Sequence, residues 1–94
     1  MLAIMVESAE EEAGRSFAES LAGAIRDGII GATLIGPTAA TIRKIRDIYR
    51  HMIYVKSMDT QTLVGIKDRA EAYQEKSDRK DIRISFDLDP MNGY

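Results

Sequence analysis

Along residues 2–7, LAIMVE, the apolar residues Leu2, Ile4 and Val6 recur at every second position, with apolar Ala3 and Met5 between them. Strand side chains alternate between faces, so this spacing predicts a strand buried on much of both faces. Ser8, with Glu11 three residues on, has the form of a capping box and predicts a helix start. Ala13, Phe17, Leu21, Ala24 and Ile25 then recur at spacings of three and four, which is one apolar helical stripe. Glu10, Glu11 and Glu12 suit the positive end of the helix dipole. Asp27-Gly28 is expected to end the helix, glycine being the usual left-handed terminator.

ATLI, at 32–35, predicts a short strand halted by Gly36-Pro37, because proline lacks the amide donor a ladder needs. Small residues follow, then IRKIRDIYRHMIYVK at 42–56. Ile42 and Ile45 do not alternate cleanly, so the first arm of this segment is expected to be irregular or an edge strand. The second arm alternates well, with Tyr49, His51, Ile53 and Val55 on one face and Arg50, Met52, Tyr54 and Lys56 on the other. Asp47-Ile48 lies between the arms and is the expected hairpin tip. Asp59 has the chemistry of an N-cap for a second helix, whose stripe is Leu63, Ile66, Ala70 and Tyr73. After the linker SDRKD, Ile82, Ile84, Phe86 and Leu88 alternate with Arg83, Ser85 and Asp87 in a last strand closed by Asp89-Pro90.

The order is strand, helix, strand, strand, helix, strand. Two such split units make an α+β ferredoxin-like sandwich: a four-stranded antiparallel sheet covered on one side by both helices. Right-handed crossovers set the spatial order at 4-1-3-2, with the first strand central and the second on an edge. An edge suits both Gly36-Pro37 and cations that discourage strand pairing.

Ninety-four residues make one domain spanning 1–94, with no room for a second core. There is no cysteine, so disulfides, thiolate nucleophiles and cysteine metal sites are excluded. No apolar run approaches the roughly 18 residues of a membrane span, and the start lacks the basic residues of a signal peptide. A cytoplasmic domain with no membrane partner is expected. Charge changes the picture more. Residues 1–35 carry six acids and two bases, residues 36–57 five bases and one acid, and residues 58–94 eight acids and six bases. A chain of net charge -2 thus gathers Arg43, Lys44, Arg46, Arg50 and Lys56 on one hairpin.

Enzyme chemistry lacks its parts. His51 is the one histidine, on a strand face that also carries Ile53 and Val55, and is expected to be packed. Without cysteine or a second histidine there is no metal cluster or nucleophilic triad, and no glycine-rich phosphate loop is present. Asp87 and Asp89 form a D-x-D, but no third oxygen ligand accompanies them, so their expected role is structural. In the expected topology they would meet Arg50 in an exposed contact worth at most about 1 kcal/mol. The basic hairpin has two readings: edge protection, or a phosphate ridge in which cations pair with backbone and Tyr49 stacks a base.

LIGPTAATIRKIRDIYRHMIYVK followed by ISFDLDP resembles the C-terminal domain of the bacterial primosomal protein N-prime family, the replication-restart helicases. The matching residues are Gly36, Pro37, Ala40 and Ile42, then Arg46, Tyr49 and Arg50, and finally Asp87, Leu88, Asp89 and Pro90. The opening LAIMVESAEEEAGRSFAESLA also resembles the start of that domain, so the likeness covers essentially the whole chain. Asp47-Ile48 departs from the family, which often has a glycine and a cation at the tip.

The resemblance implies a terminal fragment of an ATP-dependent 3'-5' DNA helicase, with the ATP, magnesium and zinc sites elsewhere in the parent and no cofactor here. It also implies binding of forked or single-stranded DNA, docking on the helicase core, and contacts with the single-stranded-DNA-binding protein and other primosome proteins. The alternative reading is a ferredoxin-like protein-docking or ligand-sensing module without DNA binding.

Overall fold

The computed structural model describes residues 1–27, 31–45, 48–77 and 79–88, with only the backbone described for 39–45. The elements are β1 (Leu2–Ser8), α1 (Glu11–Arg26), β2 (Thr33–Ile45), β3 (Ile48–Lys56), α2 (Thr60–Ser77) and β4 (Ile82–Leu88). The four strands form one antiparallel sheet in the order β2-β3-β1-β4, and both helices lie on one face. This is the expected α+β ferredoxin-like arrangement, with β1 central and β2 on an edge.

The period-two pattern decides the sheet's two faces. Leu2, Ile4 and Val6 of β1 pair across to Val55, Ile53 and His51 of β3, and to Leu88, Phe86 and Ile84 of β4, all on the helix side. Phe17, Leu21 and Ile25 of α1 and Leu63, Ile66 and Ala70 of α2 close over them. Tyr73 of α2 meets Phe17 edge-on, with ring centroids 5.6 Å apart. The α1 stripe is rotated slightly from the expected one: Ala18 and Ala22 are buried, while Ala13 and Ala24 lie half-buried at its margin. Gly14 explains the close seating of the helix. A Cβ there would lie 3.0 Å from Ser8 Cβ and 3.5 Å from His51 Nδ1, so a side chain would push α1 off the sheet.

Several local expectations change. Ser8 is not a helix cap. It ends β1, its Oγ accepts a hydrogen bond from the Glu10 amide at 3.1 Å, and α1 begins at Glu11 without a side-chain cap. A serine can satisfy a nearby amide in a tight turn as readily as at an N-cap, and here the turn wins. At the other end, Asp27 is extended, with φ -70° and ψ 110°, and Gly28 lies outside the described residues. Asp59 does cap α2: its carboxylate accepts from the Gln61 amide at 3.0 Å and from the Thr62 hydroxyl at 3.2 Å.

Gly36-Pro37 does not halt β2. The strand continues to Ile45, with register shifts between Ile35 and Thr38 and between Ala39 and Lys44. An edge strand can bulge past a proline, because the missing donor falls where no ladder bond is made. At the expected hairpin tip, Ile48 already belongs to β3 and pairs with Ile45, while Asp47 lies outside the described residues. Before β4, Arg79 donates two hydrogen bonds of 3.0 Å to Asp81, and these lower the Asp81 carboxyl pKa below its ordinary value.

The expected contact of Asp87 with Arg50 is not formed. β3 and β4 each run antiparallel to β1 from either side of it, so both finish at the same end of the sheet, and Asp87 shares a row with Ala3 and Tyr54 rather than with Arg50. Asp89 and Pro90 lie outside the described residues.

Candidate nucleic-acid interface

β2 and β3 form one long edge hairpin, and sequence places the basic residues along it. Arg43 and Lys44 stand on the far arm of β2, where Lys44 pairs with Tyr49, and Arg46 lies outside the described residues. Gly36 sets how closely the two strands approach. Its φ is +101°, and a Cβ there would meet Met52 O at 2.7 Å and Thr38 N at 3.1 Å. The Gly36-Pro37 peptide is cis.

On β3 the alternation splits the predicted site. Arg50 and Lys56 point to the open face of the sheet, whereas Tyr49, opposite Ser8 of β1, has the phase of the helix side. Lys56 is exposed and makes no ion pair or hydrogen bond with the described residues. Arg50 is engaged: its Nε donates to Glu7 Oε2 at 3.2 Å, and the two side chains are 24% and 17% exposed. Its Nη1 is buried without a hydrogen-bond partner. Glu7 thus turns one expected phosphate ligand into part of a cross-strand ion pair.

Two residues of this face were not among the expected site residues. Tyr54 shares the open face with Arg50 and Lys56, and Arg83 of β4 stands opposite Glu7 on the same face. The period-two phase of β3 already places Tyr54 with Arg50 and Lys56, but the expected stacking residue is Tyr49, which the sheet puts on the other face. Arg83 is 27 positions beyond Lys56 in the chain, and only the placement of β1 between β3 and β4 joins the two.

The helix side differs in charge. A groove of about 300 Å³ between α1 and the β2 edge is lined by Glu11, Glu12, Glu19, Thr38 and the buried His51. Its one cation, Arg15, is paired with Glu12. Such an acidic groove disfavours phosphate. Among the described residues no group of three or more His, Cys, Asp or Glu is arranged to hold a metal ion. No helix among them is long and apolar enough to cross a membrane.

The Glu7–Arg50 pair gives a stability prediction. Glu7→Gln leaves a half-buried guanidinium without its counter-charge and should cost about 1–2 kcal/mol, below the 3–5 kcal/mol of a fully buried pair because both groups retain some solvent. Urea unfolding should show this loss, and Glu7→Gln/Arg50→Met should recover part of it; an unchanged midpoint in the single variant would mean the pair contributes nothing.

A family model for the C-terminal domain of primosomal protein N matches residues 1–91. The chain belongs to this family. The chain is 33% identical over 58 residues to the replication restart protein PriA of Bacillus subtilis (strain 168). That match covers 61% of the chain but only 7% of the relative's length. Among solved structures, the de novo designed protein Foldit4 has the same fold, with a TM-score of 0.66 over 95% of this chain and 96% of that one. At 13% identity that likeness concerns architecture alone.

Proposed function

We propose that this primosomal C-terminal domain supplies non-specific binding of single-stranded or branched DNA to a replication-restart helicase, and docks on that helicase's core. The observation that carries the reading is the gathering of five cations against one acid within residues 36–57 of a chain that is acidic elsewhere. Membership of the primosomal family and the name of the Bacillus relative support it. Arg43, Lys44, Arg46 and Lys56 track phosphates along the hairpin, and Arg50 contributes from its pair with Glu7. Binding is sequence-independent, because no element of the sheet offers a helix for the major groove and spread cations contact backbone. ATP turnover, magnesium and zinc belong to the rest of the helicase, and the domain by itself hydrolyses no ATP. Single-stranded-DNA-binding protein and other primosome proteins are further partners.

A salt series on fluorescent oligonucleotides tests this. With about three to five phosphates engaged, log affinity for single strands should fall with log salt at a slope of roughly -2 to -4. Replacing Arg43, Lys44 and Arg46 together should weaken binding to every sequence alike and flatten the slope by about 2 units, with stability changed by no more than about 0.5 kcal/mol. Wild-type affinity and slope in the triple variant would show that these cations guard a strand edge or face a protein instead.

A further inference from the structure

We propose that the open face of the sheet is a stacking platform for single-stranded nucleic acid, centred on Tyr54 and flanked by Lys56 and Arg83. This rests on the DNA-binding reading above and adds the face, the stacking residue and a preference for unpaired strands.

Both helices lie on the opposite side, so no element among the described residues covers this face. Its rows follow from the register. Ile35, Tyr54, Ala3 and Asp87 form one row, Thr38, Met52, Met5 and Ser85 the next, and Arg50, Glu7 and Arg83 the third. The middle is apolar: Met5, Met52 and Tyr54 are half-buried and Ile35 is 42% exposed. Tyr54 pairs across to Ala3, which is buried, and is itself half-buried, so part of its ring surface stays accessible. The phenol makes no hydrogen bond, aromatic pair or cation–π contact with any described residue.

Charge selects the occupant. Among the described side chains, the free cations of the face are Lys56, two positions along the strand from Tyr54, and Arg83, at the opposite end of the sheet. Glu7 is matched by Arg50, which leaves Asp87 as the unpaired acid, at the β4 margin of the Tyr54 row. The row of Arg50, Glu7 and Arg83 lies six residues along β3 from Lys56, or about 20 Å, so an extended strand lying over Tyr54 runs from Lys56 at one end towards Arg83 at the other. The adjoining edge is β2, which carries Arg43 and Lys44. A polyanion with aromatic rings fits this pattern, because bases stack on an aromatic ring whatever their sequence while phosphates pair with the flanking cations. A duplex fits poorly, because its bases already stack on one another and a broad sheet face enters neither groove.

The test compares anisotropy of labelled oligo-dT and of a duplex of equal length with the wild-type domain and the Tyr54→Ala, Tyr54→Phe and Arg83→Ala variants. Tyr54→Ala should weaken oligo-dT binding by about 5- to 150-fold, the range for loss of one stacked base, with the salt slope and duplex affinity unchanged. Tyr54→Phe should bind as wild type, and Arg83→Ala should flatten the slope by about one unit. If Tyr54→Ala keeps wild-type affinity for oligo-dT, or loses duplex affinity equally, the platform is overturned while the DNA reading stands. If the wild type binds neither oligonucleotide at low salt, the DNA reading itself falls. Should Tyr54→Ala fold poorly, photocrosslinking of iodouridine-substituted oligonucleotide to wild type decides: adducts on Tyr54 support the platform, and adducts confined to the hairpin tip overturn it.

Discussion

Gly36→Ala should destabilise the domain by about 2–4 kcal/mol and disturb the basic arm of the hairpin. Two costs combine. A φ of +101° is a region that residues with a Cβ rarely occupy, at a cost of about 1–3 kcal/mol. The added Cβ would also come within 2.7 Å of the Met52 carbonyl and 3.1 Å of the Thr38 amide, which are backbone atoms that cannot swing aside. Relief requires β2 to move away from β3, and Arg43 and Lys44 lie further along that strand. Weaker DNA binding should therefore accompany the lost stability. Gly23→Ala is the control, because nothing lies within 4 Å of a Cβ there and the site is an exposed helix position. It should stabilise by about 0.4–1 kcal/mol. Thermal melts of both variants check the pair of expectations; equal melting temperatures would remove the claim that Gly36 controls the strand approach.

Ile4→Ala should cost about 2–5 kcal/mol, the usual range for a buried aliphatic truncated to alanine. Ile4 is fully buried on the central strand, between Ile53 of β3 and Phe86 of β4, beneath the helices. Sheet neighbours on both sides are fixed by ladder bonds, so the cavity has little room to collapse and the cost should fall in the upper half of the range. A domain of 94 residues has roughly 5–14 kcal/mol in total, so the variant would spend much of its stability. At about 4–8 °C per kcal/mol, the melting temperature should drop by more than 10 °C. A drop of only a few degrees would mean that the core closes around the gap.

The six elements and their order were legible in the chain, because hydrophobic periodicity reports which face of a segment is buried. β4 matched its expected span at both ends, since Ile82, Ile84, Phe86 and Leu88 alternate without interruption. The Asp59 cap was legible for the same kind of reason: its carboxylate accepts from the Gln61 amide and the Thr62 hydroxyl, two and three residues away. Short-range chemistry misled where two local structures compete for one side chain, as at Ser8, which closes a turn where a helix cap was expected.

Sequence by itself determined the fold class, the strand order and the clustering of positive charge, because each follows from local periodicity, connection handedness and composition. Only the tertiary structure decided which of the described cations are paired. Arg50 meets Glu7 across 43 positions of chain, and Arg83 joins the face of Tyr54 and Lys56 through a strand that belongs to neither. The path of β2 past Gly36-Pro37 was likewise settled by its edge position and by the tight approach to Met52. Pairing register between distant strands depends on how whole faces pack, and no short window of residues contains that information.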